Sequence, residues 1–226
     1  MLAAEMADSE QEQWDEIRSF LLAYASHDPV RKVAVVGNAP LEPDSGRAED
    51  IDSSDLVIRM NSLRLDEPGE PPCLGVACHA VVLSRSVRMT PWVFRDYRHR
   101  AYLVPQLGFP LFEGVRPRPD FWPPDLGAIP IPNKVVKKRL ADLLDPDHTP
   151  GELTPTSGTT AMYLAHEMFP GAEMVATGFS FLDQHDQTEW AHHSGGTTRV
   201  NTFHDLALEG ALLKAWMADG SVRFHD

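Results

Sequence analysis

Apolar residues along this chain fall into short runs divided by polar segments, and the period within each run separates helices from strands. Between residues 10 and 25, Trp14, Ile17, Leu21 and Tyr24 recur at helical spacing with Glu and Gln between them, which predicts an amphipathic helix lying on the core. The run Lys32-Val33-Ala34-Val35-Val36-Gly37 is apolar without alternation and ends in Gly, as expected of a strand buried on both faces in a parallel sheet. A loop with Pro40, Pro43 and Gly46 follows, then Asp55 to Met60 as a second strand with Asn61 at its end. Ala80 to Ser84 and Ala101 to Val104 read as a third and fourth strand, separated by a helical segment around Trp92 to Arg100. Glu173 to Phe179 repeats the pattern of an apolar strand closing on Gly. Helices are expected over 133–144, over Ala161 to Phe169 behind the loop Thr156-Ser157-Gly158-Thr159-Thr160, and over Phe203 to Met217. Residues 105–132 crowd Pro117, Pro119, Phe121, Trp122, Pro123 and Pro124, so an ordered excursion or a lid is expected there instead of regular structure.

Strands alternating with helices define an α/β protein: a mostly parallel sheet with helices on both faces. At 226 residues the chain suits one domain over 1–226, with its N-terminal helix inside 1–28. Hydrophobic residues make up 42%, charged residues 23%, and no window approaches the ~18 uninterrupted apolar residues of a membrane span, so a soluble protein is expected. The acidic start lacks the basic and apolar stretches of a secretory signal, which points to the cytoplasm. The two cysteines, Cys73 and Cys78, make neither a disulfide framework nor a zinc quartet and are expected as free thiols. A formal charge of -13 opposes binding to a nucleic-acid polymer. It leaves room for a mononucleotide, whose phosphate can be held by N–H groups at a helix start.

The chemistry collects where strands end. Gly37-Asn38 and Gly178-Phe179 fall at the expected carboxyl edge of the sheet, where open α/β proteins bind ligands, although each Gly fits a tight turn equally well. No G-x-G-x-x-G follows Val36 and no G-x-x-x-x-G-K-[ST] occurs. Asn38 and Asn61 offer a donor and an acceptor each to a ribose or phosphate, or serve as turn residues. Thr156-Ser157-Gly158 brings hydroxyls and free N–H groups to a helix start, suiting a phosphate or a plain N-cap. His185, His192, His193 and His204 lie within twenty residues of one another, and imidazole serves as base or acid near neutral pH. His192 and His193 are adjacent and no H-E-x-x-H occurs, so the histidines do not form a metal set. Asp145-Pro146-Asp147 reads as a turn after a helix, not a metal-binding D-x-D.

In this order the pieces resemble the sialylmotifs of the animal-type sialyltransferase family. Val33 to Asn38, Gly46 and Glu49 to Asn61 resemble the large sialylmotif. Pro155 to Gly158 through Thr177-Gly178-Phe179 resembles the small one, His192-His193 motif III, and His204 with Glu209 the very small motif, H-x₄-E. Residues 64–150 match no part of the family. The resemblance implies a Rossmann-like variant of the glycosyltransferase A fold, a CMP-linked acidic sugar as donor, and no metal or further cofactor. It implies that Asn38, Asn61, Thr156, Ser157 and Gly158 contact CMP, with Gly37, Gly178 and Phe179 beside them. His204 is implied as general base, and His193 or its neighbour His192 as the stabiliser of the departing phosphate, with Glu209 and Arg59 in support. Family members usually carry a membrane anchor and a disulfide joining the large and small motifs. Val33 and the Gly171-Ala172 region stand in the cysteine positions here, which implies a cytoplasmic, bacterial-like relative with a small soluble molecule or glycan as acceptor. Hydrolysis of a CMP-sugar or cytidine nucleotide in the same pocket, a CMP-binding module without turnover, and an unrelated α/β enzyme are the alternatives.

Overall fold

The computed structural model describes residues 2–84, 89–105, 119–132, 134–149 and 152–225. Its centre is a parallel sheet of seven strands: β1 (Lys32–Val36), β2 (Leu56–Met60), β3 (Ala80–Val82), β4 (Ala101–Pro105), β5 (Ile129–Ile131), β6 (Glu173–Thr177) and β9 (Arg223–His225). The order across the sheet is β5-β4-β3-β2-β1-β6-β9. In register, Val33 sits between Leu56 and Met174, and Val35 between Ile58 and Ala176. These central strands are buried on both faces, which is why β1 runs apolar without alternation and β2 is apolar but for Arg59.

One face, carrying Val33, Val35, Leu56 and Ile58, is covered by α1 (Leu2–Leu22) through Trp14, Ile17 and Leu21. The same layer holds α3 (Arg139–Leu144), α4 (Ser157–Met168) and α5 (Leu206–Ala218), the last through Leu213 and Trp216. The other face is covered by α2 (Ser45–Asp52), whose Ile51 packs with Ala34, Val36, Val57 and Leu74. Beyond α2, Val81, Tyr102 and Val104 of that face are covered by Val93, Trp122 and Leu126 from irregular segments. The two cysteines are buried free thiols.

Several sequence expectations change. The stretch after β1 is not all loop: Asp44 caps α2 by accepting from the Arg47 N–H, and buried Arg47 reaches back to the Cys73 carbonyl. The segment Trp92 to Arg100 is not an α-helix but a chain of turns with a single 3₁₀ turn at Tyr97–His99. Its carbonyls are diverted: Trp92 C=O accepts from the Arg100 guanidinium, Val93 C=O from the Tyr102 hydroxyl, and Asp96 is left-handed at φ 52°. The Pro-rich excursion contains regular structure after all, because β5 adds to the sheet edge, where Pro130 needs no second ladder partner. Its residues 106–118, and with them Pro117 and the lid expectation, lie outside the described residues. A hairpin of β7 (Glu189–Ala191) and β8 (Thr197–Arg199) and the last strand β9 are too short and polar to read from pattern. Over 133–144 the expected helix begins as a π-helical turn, Lys134–Lys138, and continues as α3. Asp145 and Asp147 form the expected turn, the Asp147 N–H donating to the Asp145 carboxylate. No helix among the described residues is long and apolar enough to cross a membrane.

Candidate active site

β1 and β6 are neighbours, yet the chain leaves β1 toward β2 and leaves β6 toward β9, so a crevice opens between their carboxyl ends. The strand-end glycines make that crevice. Gly37 N–H donates to the Thr177 carbonyl at 2.7 Å, and a Cβ on Gly37 would stand 2.0 Å from the Gly178 carbonyl oxygen. Gly178 has φ +76°, the left-handed region that glycine alone enters freely. Gly37→Ala is therefore expected to force the two loops apart and cost about 1–3 kcal/mol of stability, measured by chemical unfolding. An unchanged midpoint would show that the contact is slack.

A cavity of about 410 Å³ opens at this edge. Asn38 and Asn61 reach it from the ends of β1 and β2, as expected of strand-end residues. Asn61 is buried, and the Asn38 side-chain oxygen is buried without a hydrogen-bond partner among the described residues. Phe179 continues from β6, its ring so close to α4 that a Cβ on Gly158 would meet it at 2.8 Å.

α4 starts four residues earlier than its apolar run suggests, because Thr156 is its N-cap and accepts from the Thr159 N–H at 3.1 Å. Thr156, Ser157 and Gly158 all line the cavity, and the Ser157 and Gly158 N–H groups, first in the helix, have no partner among the described residues. The Thr156 hydroxyl is committed elsewhere: it donates to Glu209 at 2.6 Å. Glu209, fully buried on α5, also accepts from the Thr159 hydroxyl and from the Thr156 N–H at 3.0 Å. Glu209 thus ties α5 to the start of α4 and does not touch His204. Burial pushes its carboxyl up to about 7, against the pull of the Thr156 and Thr159 hydrogen bonds.

His204 stands just before Asp205, the N-cap of α5, and lines the cavity. Its Nδ1 lies 2.5 Å from the Thr154 carbonyl, an acceptor only, so Nδ1 carries the proton and Nε2 keeps a lone pair. Burial holds its pKa below the ordinary 6.5; the Thr154 carbonyl opposes this and the charge on Lys137 adds to it. A neutral imidazole with a free Nε2 can accept a proton near neutral pH.

The adjacent histidines part company in the turn between β7 and β8. His192 lines the cavity, its Nε2 2.9 Å from the Thr198 hydroxyl. His193 lies outside the lining: its N–H donates to the Asn38 carbonyl at 2.7 Å and its Nδ1 accepts from the Leu41 N–H at 3.2 Å. Burial, with Arg64 nearby, holds its pKa below 6.5. His185 is exposed and also away from the cavity. Arg59 is wholly buried, donating to the Ala77 and Leu74 carbonyls at 2.8 and 2.6 Å, so it braces the β2–β3 connection instead of facing a ligand.

Three lining residues carry no motif signal in the sequence: Lys137 on the π-helical turn, and Trp190 and Arg199 on the hairpin. Lys137 is half-buried, which pushes its pKa down to about 8. Among the described residues the cavity lining holds Lys137, Arg199, His192 and His204 but no Asp or Glu, in a chain of net charge -13. The charged part of the lining is basic in an acidic protein. No group of three or more acidic, His or Cys side chains suited to a metal occurs among the described residues.

Neither a family model nor a curated protein sequence matches the chain. Solved structures do. A crystal structure of a mammalian sialyltransferase superposes with a TM-score of 0.52 at 15% identity, covering 96% of this chain and 84% of that one. A mammalian sialyltransferase in complex with Gal-beta-1-3GalNAc-ortho-nitrophenol gives 0.53 at 15% identity, over 96% and 85%. The chain therefore has a sialyltransferase-like, glycosyltransferase A-like α/β fold along nearly its whole length.

Proposed function

We propose that this chain is an inverting, metal-independent glycosyltransferase that moves sialic acid, or a related keto-acid sugar, from its CMP conjugate to an acceptor hydroxyl. The observation that carries this reading is His204, its Nδ1–H fixed on Thr154 and its Nε2 without a partner among the described residues, in a cavity whose charged lining is basic, beside the start of α4. The acceptor oxygen attacks the anomeric carbon as His204 Nε2 takes its proton, and the bond from that carbon to the phosphate oxygen breaks. The electron pair leaves with CMP. The N–H groups of Ser157 and Gly158, unpartnered among the described residues, and the Arg199 guanidinium supply fixed positive charge for the departing phosphate, with the His192 ring beside them. Asn38 and Asn61 hold the nucleotide, the first through a buried oxygen that has no donor among the described residues. A glycan acceptor is supported by the fold shared with a sialyltransferase bound to Gal-beta-1-3GalNAc-ortho-nitrophenol.

Calorimetric titration with CMP, AMP and UMP in the presence of EDTA tests the donor site directly. CMP is expected to bind tighter than either control by about tenfold or more, a difference of about 1.4 kcal/mol. Equal or absent binding of the three would overturn the reading.

A further inference from the structure

We propose that Lys137 binds the carboxylate on the anomeric carbon of the donor sugar and thereby selects keto-acid sugars over uncharged sugars carried on the same nucleotide. This rests on the CMP-sugar reading above and goes further by assigning the sugar class to one side chain. Three consecutive cations, Lys137, Lys138 and Arg139, follow one another where the π-helical turn meets α3. Lys138 pairs with Asp142 at 2.6 Å and Arg139 pairs with Glu10, both at the surface. Lys137 alone of the three turns into the cavity, half-buried, with no hydrogen-bond or ion-pair partner among the described residues. An ammonium withdrawn from water without an anion is costly, and its pKa of about 8 records that cost. A bound carboxylate would remove it.

The neighbourhood of Lys137 indicates which anion. Lys137 and His204 line the same cavity, and the Lys137 charge reaches the imidazole, which puts it on the base's side. In an inverting displacement the base approaches the anomeric carbon from the face opposite the leaving phosphate. A cation beside the base therefore meets the groups that stay on that carbon, and in a 2-keto-acid sugar one of these is a carboxylate. The phosphate has its own cation, Arg199, on the strand whose Thr198 hydroxyl bonds His192. Two separate cations match the two separate anionic groups of a CMP-keto-acid sugar.

Calorimetric titration of the whole protein with three ligands tests this: CMP, CMP-3-fluoro-N-acetylneuraminate, whose fluorine slows transfer, and the C1 methyl ester of the latter, which lacks the carboxylate charge. Wild type is expected to bind the acid on the order of 10- to 100-fold tighter than the ester, the range of a charged hydrogen bond. In Lys137→Met that preference should collapse to near unity while CMP affinity holds, which also shows that the variant is folded. A preference that survives in the variant overturns the assignment, as does no preference in a wild type that binds CMP. A variant weakened toward CMP itself also overturns it, by placing Lys137 on the phosphate. A wild type that binds none of the three sinks the CMP-sugar reading and this inference together.

Discussion

Replacing His204 by Ala is expected to lower turnover of a CMP-sugar by ~10²–10⁴-fold, the range for a positioned general base, while CMP affinity stays nearly unchanged. The separation follows from placement. His204 belongs to the turn before α5 and is anchored to Thr154, whereas the nucleotide contacts assigned here come from the ends of β1 and β2 and the start of α4. Loss of the imidazole therefore removes a proton acceptor without disturbing the strand ends. The pH profile adds a second signature. Burial and the Lys137 charge hold the His204 pKa below 6.5, outweighing the Thr154 bond. Deprotonation of Lys137 near 8 lowers kcat/KM in base; because the free imidazole is the active form of His204, wild-type kcat/KM should also fall in acid, with a midpoint below 6.5. The same limb should vanish from the residual activity of His204→Ala. Activity within a few-fold of wild type, or an acid limb that survives the substitution, removes His204 from the reaction.

The parts of this site that were legible in the sequence are those where one local rule acts alone. Val33 to Val36, Leu56 to Met60 and Met174 to Thr177 are buried on both faces and, but for Arg59 and Thr177, apolar because they fill the middle of a parallel sheet, so their ends marked the crevice directly. Thr156 announced a helix start because an N-cap needs a side-chain oxygen. Other features depend on partners remote in sequence. α2 is short, polar and has Gly46 in its first turn, and what holds it is Asp44, Arg47 and the Cys73 carbonyl. The segment around Trp92 has helical composition but gives its carbonyls to Arg100 and Tyr102. Tyr24 fits the period of α1 and still falls beyond its end, against the core but in a turn.

The histidines make the same distinction at the level of chemistry. His192 and His193 are equivalent in sequence, and only the turn between β7 and β8 sends one toward the cavity and the other toward Leu41. Lys137 is one Lys among three neighbouring cations, and its inward direction depends on the π-helical turn that carries it. Glu209 shares a motif with His204 by spacing, and five residues across a helix start place its carboxylate on Thr156 and Thr159, where it orients the neighbouring helix. Spacing identified which residues matter to the motif; the backbone decided what each one touches.

Glu209 also makes the molecule's stability depend on pH in an unusual sense. Burial raises its carboxyl to about 7 from an ordinary 4.5, despite the hydrogen bonds from Thr156 and Thr159 that favour the anion. Between these two values the folded chain holds a proton that the unfolded chain has released, so stability falls as pH rises across that window. The contribution is fully present below 4.5 and lost above 7, a swing of about 3 kcal/mol. Most paired carboxylates act oppositely: Asp50, held down to about 2 by Lys32 and His225 in spite of its burial, loses its contribution only in strong acid. Between pH 4.5 and 7 the histidines that burial holds below 6.5 also titrate, so comparison with a variant that lacks only this carboxyl isolates the raised group. Glu209→Gln keeps an acceptor for the Thr156 hydroxyl but cannot titrate. Urea unfolding of both proteins should show wild type losing about 3 kcal/mol relative to Glu209→Gln between the two ends of the scan. Parallel stability curves would mean that the carboxylate is charged throughout, held by the start of α4. In that case the link between α4 and α5 is an ionic one, and the N–H groups of Ser157 and Gly158 would face a donor phosphate with that anion already behind them.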